Sequence, residues 1–225
     1  MIHLFCSWHD PNYLMKLSTE RQVLYLLPVN AVLFPQGYLR LRVVDERYVR
    51  MIRKAQKTGD VFGVVMAEPQ RQMSDTEQPT YESVGCTARL LSVTALEATQ
   101  AIGQGLKIEC IGLDRFNVRQ TRLTSKGRIE ARVAMIEPDR NILPTEVVIG
   151  SARALAQAIQ SLRLRNECEV VEPFHFEHAG WIANRWSELL PISLKARQKL
   201  MELEDPQLRL SIVHQYLSQQ QIVTG

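Results

Sequence analysis

The feature that most restricts this chain is a change of hydrophobic period partway along it. Up to about residue 135, apolar side chains alternate with polar ones, which is the period of two of a half-buried strand. Leu39, Leu41 and Val43 alternate with Arg40 and Arg42, and Leu106, Ile108 and Cys110 alternate with Lys107 and Glu109. Phe116 and Val118 alternate with Arg115, Asn117 and Arg119, and Ile129, Ala131, Val133 and Met135 with Arg128, Glu130 and Arg132. After Glu137-Pro138 the spacing becomes helical, with Val148, Ala152, Leu155, Ile159 and Leu162 on one stripe. The pattern predicts an α+β chain: a mostly antiparallel β-barrel with one or two helices, followed by a C-terminal helical bundle. It divides the chain into a tail over 1–20, a barrel domain over 21–139 and a bundle over 140–225, with Pro138 and Pro144 marking the second boundary.

Breaker and capping residues place the elements. Val23 to Leu27 is an apolar run ended by Pro28, and Phe34-Pro35-Gln36-Gly37 is a turn. Asp45 is an N-cap for a helix carrying Tyr48, Met51, Ile52 and Ala55 on one face, with Gly59 just past its end. Phe62 to Ala67 reads as a strand, 68–80 as a polar loop, Val84 to Leu96 as a bent strand and Gly103-Gln104-Gly105 as a hairpin turn. Helices are expected over 145–165 and from about Glu177 to Leu190, where Pro191 stops the second. Ser193 caps a third, and Asp205-Pro206 starts a fourth, with Leu208, Ile212 and Tyr216 assigned to its buried stripe. Residues 1–20 show no period, and Met15 is a candidate for the true start of translation.

Several function classes are disfavoured. No apolar run approaches the roughly 20 residues of a membrane span, and the first residues lack a basic segment followed by an apolar one. The expectation is a cytoplasmic protein without a membrane partner, whose four well-separated cysteines are thiols. Net charge is +3, and residues 21–138 carry 17 basic against 12 acidic side chains, far from a nucleic-acid signature. His175, Glu177 and His178, with Cys168, could ligate a metal, as could His3, Cys6 and His9. Without a Cys-x-x-Cys pair, both groups read as polar segments, so no metal and no cofactor is expected. No Gly-x-Ser-x-Gly elbow is present, and Ser151 falls in a helical stripe, so no catalytic residue is assigned. Glu202, Glu204 and Asp205 read as a solvated helix end and a cap. The cations from Arg40 to Lys57 read as a solvated face. Trp181 and Trp186 lie five apart and point in different directions: one is read as core, the other as lining an exposed apolar groove at the barrel–bundle junction, where a polypeptide could bind.

Two segments carry a family resemblance. LPVNAVLFPQGYLRLRVVDERYVRMI, from Leu27 to Ile52, resembles the start of the N-terminal substrate-recognition domain of Lon proteases, with Pro28, Asn30, Leu33, Phe34, Pro35, Gly37, Leu39, Leu41, Asp45, Arg47 and Tyr48 on the pattern. LLPISLKARQKLMELEDPQLRLSIV, from Leu189 to Val213, is similar to the helical part of that domain and includes Asp205 and Pro206. Phe62-Gly63-Val64-Val65 and Gly112-Leu113-Asp114-Arg115-Phe116 also match, and the likeness runs over about 22–217. Gln36 stands where the family usually has glycine, and Arg40 and Glu46 where proline is common. The resemblance implies a PUA-like barrel followed by a bundle. In full-length Lon an ATPase and a Ser-Lys protease follow. Here no Gly-x-x-x-x-Gly-Lys-[Ser/Thr] loop occurs and the sequence ends at Gly225, so the resemblance implies a stand-alone, non-catalytic module. Its expected partner is unfolded or tagged polypeptide, with a separate protease as a second partner. The alternative is an RNA-binding PUA-like protein, by analogy of fold.

Overall fold

The computed structural model describes residues 22–68, 80–97 and 105–223. The tail, Met15, the His3/Cys6/His9 group, most of the loop after Ala67 and the Gly103-Gln104 turn lie outside the described residues.

Six strands form one mixed sheet: β1 (Gln22–Val29), β2 (Tyr38–Val43), β3 (Phe62–Ala67), β4 (Tyr81–Ala95), β5 (Leu106–Leu123) and β6 (Ile129–Met135). The order is β2-β5-β4-β3-β1-β6, and the second half of β5 also pairs with β6. Ladder pairings thus return on themselves through five strands, while β2 hangs on the first half of β5. Only β1 and β3 run parallel. The expected short strands around Leu106 and Phe116 are one 18-residue strand that changes partner midway. Pro28 does not end β1. Pairing with β6 stops at Leu26, so the missing N–H of Pro28 faces no ladder on that side.

Helix α1 (Glu46–Thr58) follows β2. The Asp45 carboxylate accepts from Arg47 N at 2.8 Å, and the Arg47 guanidinium returns to it at 2.6 Å. At the other end Gly59 takes φ 74° and donates to Ala55 O. Tyr48, Met51, Ile52 and Ala55 are buried, as their spacing requires, against Phe62, Cys86, Leu106 and Ile108 of the sheet.

After β6 the chain forms a 3-10 turn (Glu146–Val148) and four helices: α2 (Ile149–Leu164), α3 (Ala179–Leu189), α4 (Leu194–Glu202) and α5 (Pro206–Gln219). Ser193 Oγ caps α4 by accepting from Ala196 N, and Asp205 caps α5 by accepting from Gln207 N at 2.8 Å. Leu155, Ile182, Leu210, Val213 and Leu217 fill the bundle core, into which Phe34, Met66 and Val84 reach from the barrel side. The α5 face is a correction. Leu208 and Ile212 are exposed, while Arg209, Leu210, Val213, His214 and Leu217 turn inward. Apolar residues occur at helical spacing on both faces, so period alone cannot choose between them.

Candidate functional site

Barrel and bundle meet on buried polar side chains. Arg115 of β5 donates to Met201 O and Leu203 O, at 2.9 and 2.7 Å, and to Asp139 Oδ1 at 2.9 Å. Arg209 of α5 holds the other side of the same carboxylate, 2.6 Å from Oδ2, and also donates to Asn184 Oδ1, Leu200 O and Leu203 O. One carboxylate therefore bridges two guanidiniums that are 3% and 1% exposed. Gly180 permits this, because a Cβ there would sit 2.4 Å from Asp139 Oδ2. Gln198 adds a bond from Nε2 to Val84 O at 2.9 Å.

A second tie runs through Arg185 of α3. Its guanidinium donates to Gln36 O, to Pro35 O at 2.9 Å and to Glu188 Oε1 at 2.9 Å. The turn it grips is the Phe34-Pro35-Gln36-Gly37 motif, closed by Gly37 N donating to Phe34 O. Gln36 sits at φ 59°, the left-handed value that a type II turn wants at its third residue. The departure from glycine noted in the sequence thus leaves the turn in place with a strained residue. Burial pushes the Glu188 carboxyl up to about 7, against the pull of Arg185, and burial also lowers the pKa of Arg185 and Arg115.

Beside these ties is a cleft of about 230 Å³, lined by Pro35, Gln36, Asp114, Asp139, His178 and Trp181 among others. Both tryptophans belong to the bundle core, Trp181 6% and Trp186 5% exposed. The expectation that one of them lines an exposed groove is corrected: a short helix packed on several sides buries residues 179–187 almost all round. Trp186 Nε1 donates to Ser151 O, and only an edge of Trp181 reaches the cleft.

The remaining family positions take structural places. Phe34 is fully buried, Asn30 is exposed beyond β1, Asp45 and Asp205 are caps, Tyr48 is core and Pro206 is the buried first residue of α5. Ser151 Oγ lies 2.9 Å from His214 Nδ1, a nucleophile–base pair by residue type. Ser151 is 0% exposed, so no substrate carbonyl can reach it, and the pair joins α2 to α5. Burial raises the Cys86 thiol well above its ordinary range and pushes Cys110 up to about 12, so neither is a thiolate near neutrality. The α1 cations Arg50, Arg53, Lys54 and Lys57 rim a shallow surface hollow, where Glu46 pairs with Arg50 at 3.3 Å. His175, Glu177 and His178 are brought together, without Cys168. No described helix is long and apolar enough to cross a membrane.

Sequence reasoning missed Arg115, Asp139, Arg185, Gln198 and Arg209. The available signal was an arginine embedded among apolar helix positions, as Arg185 is in AGWIANRWSEL.

By class, then, this is an α+β barrel-plus-bundle domain whose halves are joined by buried arginines. The family model for the ATP-dependent protease La (LON) substrate-binding domain matches residues 23–219, and the chain belongs to that family. It is 26% identical over 194 residues to a Lon protease of Cytophaga hutchinsonii, covering 81% of this chain and 22% of that protein. It is 24% identical over 203 residues to Lon protease 2 of Myxococcus xanthus, covering 88% and 24%. The chain thus spans about a quarter of the length of the curated relatives it matches. Among solved structures, the Lon N-terminal domain protein from Xanthomonas campestris superposes with a TM-score of 0.63 at 25% identity, covering 87% of this chain and 98% of that one. The N-terminal domain of Mycobacterium avium complex Lon protease shares the fold, with a TM-score of 0.59 at 16% identity, covering 88% and 98%.

Proposed function

We propose that this chain is a non-catalytic polypeptide-recognition module, which holds unfolded or tagged segments for a protease through the outer face of α5. The observation that carries the contact surface is Leu208 and Ile212, 49% and 42% exposed and one turn apart. Arg209, the one Asp, Glu, Lys or Arg on that helix, is buried, and Ser211, Gln215 and Gln219 complete an uncharged outer face. A helix face that only meets water ordinarily carries charge. Membership of a substrate-binding family supports the same reading.

Burying what remains exposed of these two side chains contributes roughly 1 kcal/mol each, or about 30-fold in affinity together. Fluorescence anisotropy of a labelled, permanently unfolded polypeptide should show Leu208→Glu/Ile212→Glu weakening binding by about that factor. Unchanged affinity in the double variant would remove α5 from the surface. The RNA alternative rests on analogy of fold, and an RNA oligomer in the same assay is expected to bind weakly or not at all.

A further inference from the structure

We propose that His175, Glu177 and His178 form a solvent-accessible site for a divalent transition-metal ion with nitrogen and oxygen preference, of which Zn²⁺ is the natural probe. The loop before α3 creates the site by folding back on itself, with His178 N donating to His175 O at 3.0 Å. That turn places both imidazoles on one side of the chain, stacked with centroids 5.2 Å apart and planes 11° from parallel. Glu177 lies between them. His175 Nδ1 is 3.3 Å and His178 Nε2 3.6 Å from the same carboxylate oxygen, and one ligand atom from each residue lies within 4.8 Å of the other two.

These spacings suit a metal ion. With Zn–N and Zn–O bonds of about 2.1 Å, the edge of a coordination tetrahedron is roughly 3.4 Å. Two of the three edges are already near that length, and closing the third requires one of the near-parallel imidazoles to turn so that both nitrogens face the ion. Two imidazoles and a carboxylate select Zn²⁺, Co²⁺ or Ni²⁺ over Mg²⁺ or Ca²⁺, and three protein ligands leave a position for water.

The surroundings hold the ligands in place. Phe174, Phe176 and Trp181 form an aromatic wall with centroids 5.2–6.0 Å apart, and the His175 ring meets Trp181 edge-on at 6.2 Å. The three ligand side chains are 27%, 54% and 28% exposed in chain order, so an ion can enter from solvent. Cys168 stays outside the group, with its thiol directed to Val170 O at 3.7 Å. The positive end of α3 opposes a cation here, but its partial charge is small beside three coordinate bonds to a divalent ion. A bound ion would fasten this loop to the start of α3, at the rim of the junction cleft that His178 lines.

The test is isothermal titration of the full chain with Zn²⁺, with the visible d–d absorption of Co²⁺ as an independent readout of coordination. The expected result is one ion per chain with a Kd below about 10 µM, weakened about tenfold or more by His178→Ala and by the exposed Glu177→Gln. His3→Ala/His9→Ala, which removes the other histidine group, should leave that binding unchanged. Three results would each overturn the proposal: wild-type affinity no tighter than about 1 mM, equal affinity in the His178 and Glu177 variants, or loss of binding in the His3/His9 control.

Discussion

Removing the Asp139 side chain tests the junction where the structure is most specific. The Asp139→Ala variant deletes three hydrogen bonds, at 2.9, 2.6 and 3.2 Å, from two guanidiniums that are almost without solvent contact. Both arginines keep backbone carbonyl partners, and Arg209 keeps Asn184, so their donors are not all orphaned. What disappears is the one negative charge between them. Breaking a buried ion pair by removing one partner costs about 3–5 kcal/mol. With a urea dependence near 2 kcal/mol per molar for a domain of this size, a loss of about 4 kcal/mol moves the unfolding midpoint down by roughly 2 M. Asp139→Asn keeps the shape and should fall between variant and wild type. Gly180→Ala drives a Cβ into the same carboxylate and should destabilise in the same direction. Urea unfolding followed by tryptophan fluorescence reads all three. A midpoint shift below about 0.3 M for Asp139→Ala would refute the claim that this carboxylate docks the bundle.

Other outcomes follow from single residues. Gln36→Gly should stabilise by up to about 1 kcal/mol, because relief at φ 59° exceeds the added freedom of the unfolded chain; a lower thermal midpoint would contradict the strain. Glu188 holds its proton up to about pH 7 when folded and releases it near the ordinary carboxyl value when unfolded. Unfolding therefore releases a proton in that window, and stability declines, on the order of 1–3 kcal/mol, as pH rises from about 4.5 to 7 and is level above it. Glu188→Gln should remove that slope in urea titrations at several pH values, and a slope that survives would place its origin elsewhere. Asp45 runs the other way: the Arg47 guanidinium holds its carboxyl below the ordinary range, so its stabilising contribution is full near neutrality and is lost as pH falls through that lowered value. Asp45→Ala should cost about 1 kcal/mol at pH 7 and much less in acid.

Much of the fold was legible because its signals are local. Asp45, Gly59, Ser193 and Asp205-Pro206 each fix a helix end through backbone chemistry within four residues, and all four ends fall where those residues place them. Alternation located the strands but not their partners, since Gly112 to Arg115 reads as a break and is the middle of β5. Glycine is needed at 112 because a Cβ would meet Phe34 O at 2.1 Å, a contact between residues 78 apart in the chain. The junction was hidden for the same reason. Arg115, Asp139 and Arg209 are neighbours only after folding, and an arginine in a strand or helix looks like surface until its carboxylate partner is known. The inward face of α5 depended on that pairing, which is why Leu208 and Ile212 were assigned to the wrong side.

The central claim is recognition of polypeptide through apolar contact. It is tested most directly by the affinity for an unfolded polypeptide at low and high salt. Apolar burial is insensitive to screening, so the Kd should change by no more than about threefold between 50 and 500 mM salt, with or without nuclease treatment. A loss of affinity of about a thousandfold or more over that range, with displacement of the polypeptide by RNA at low salt, would contradict the account.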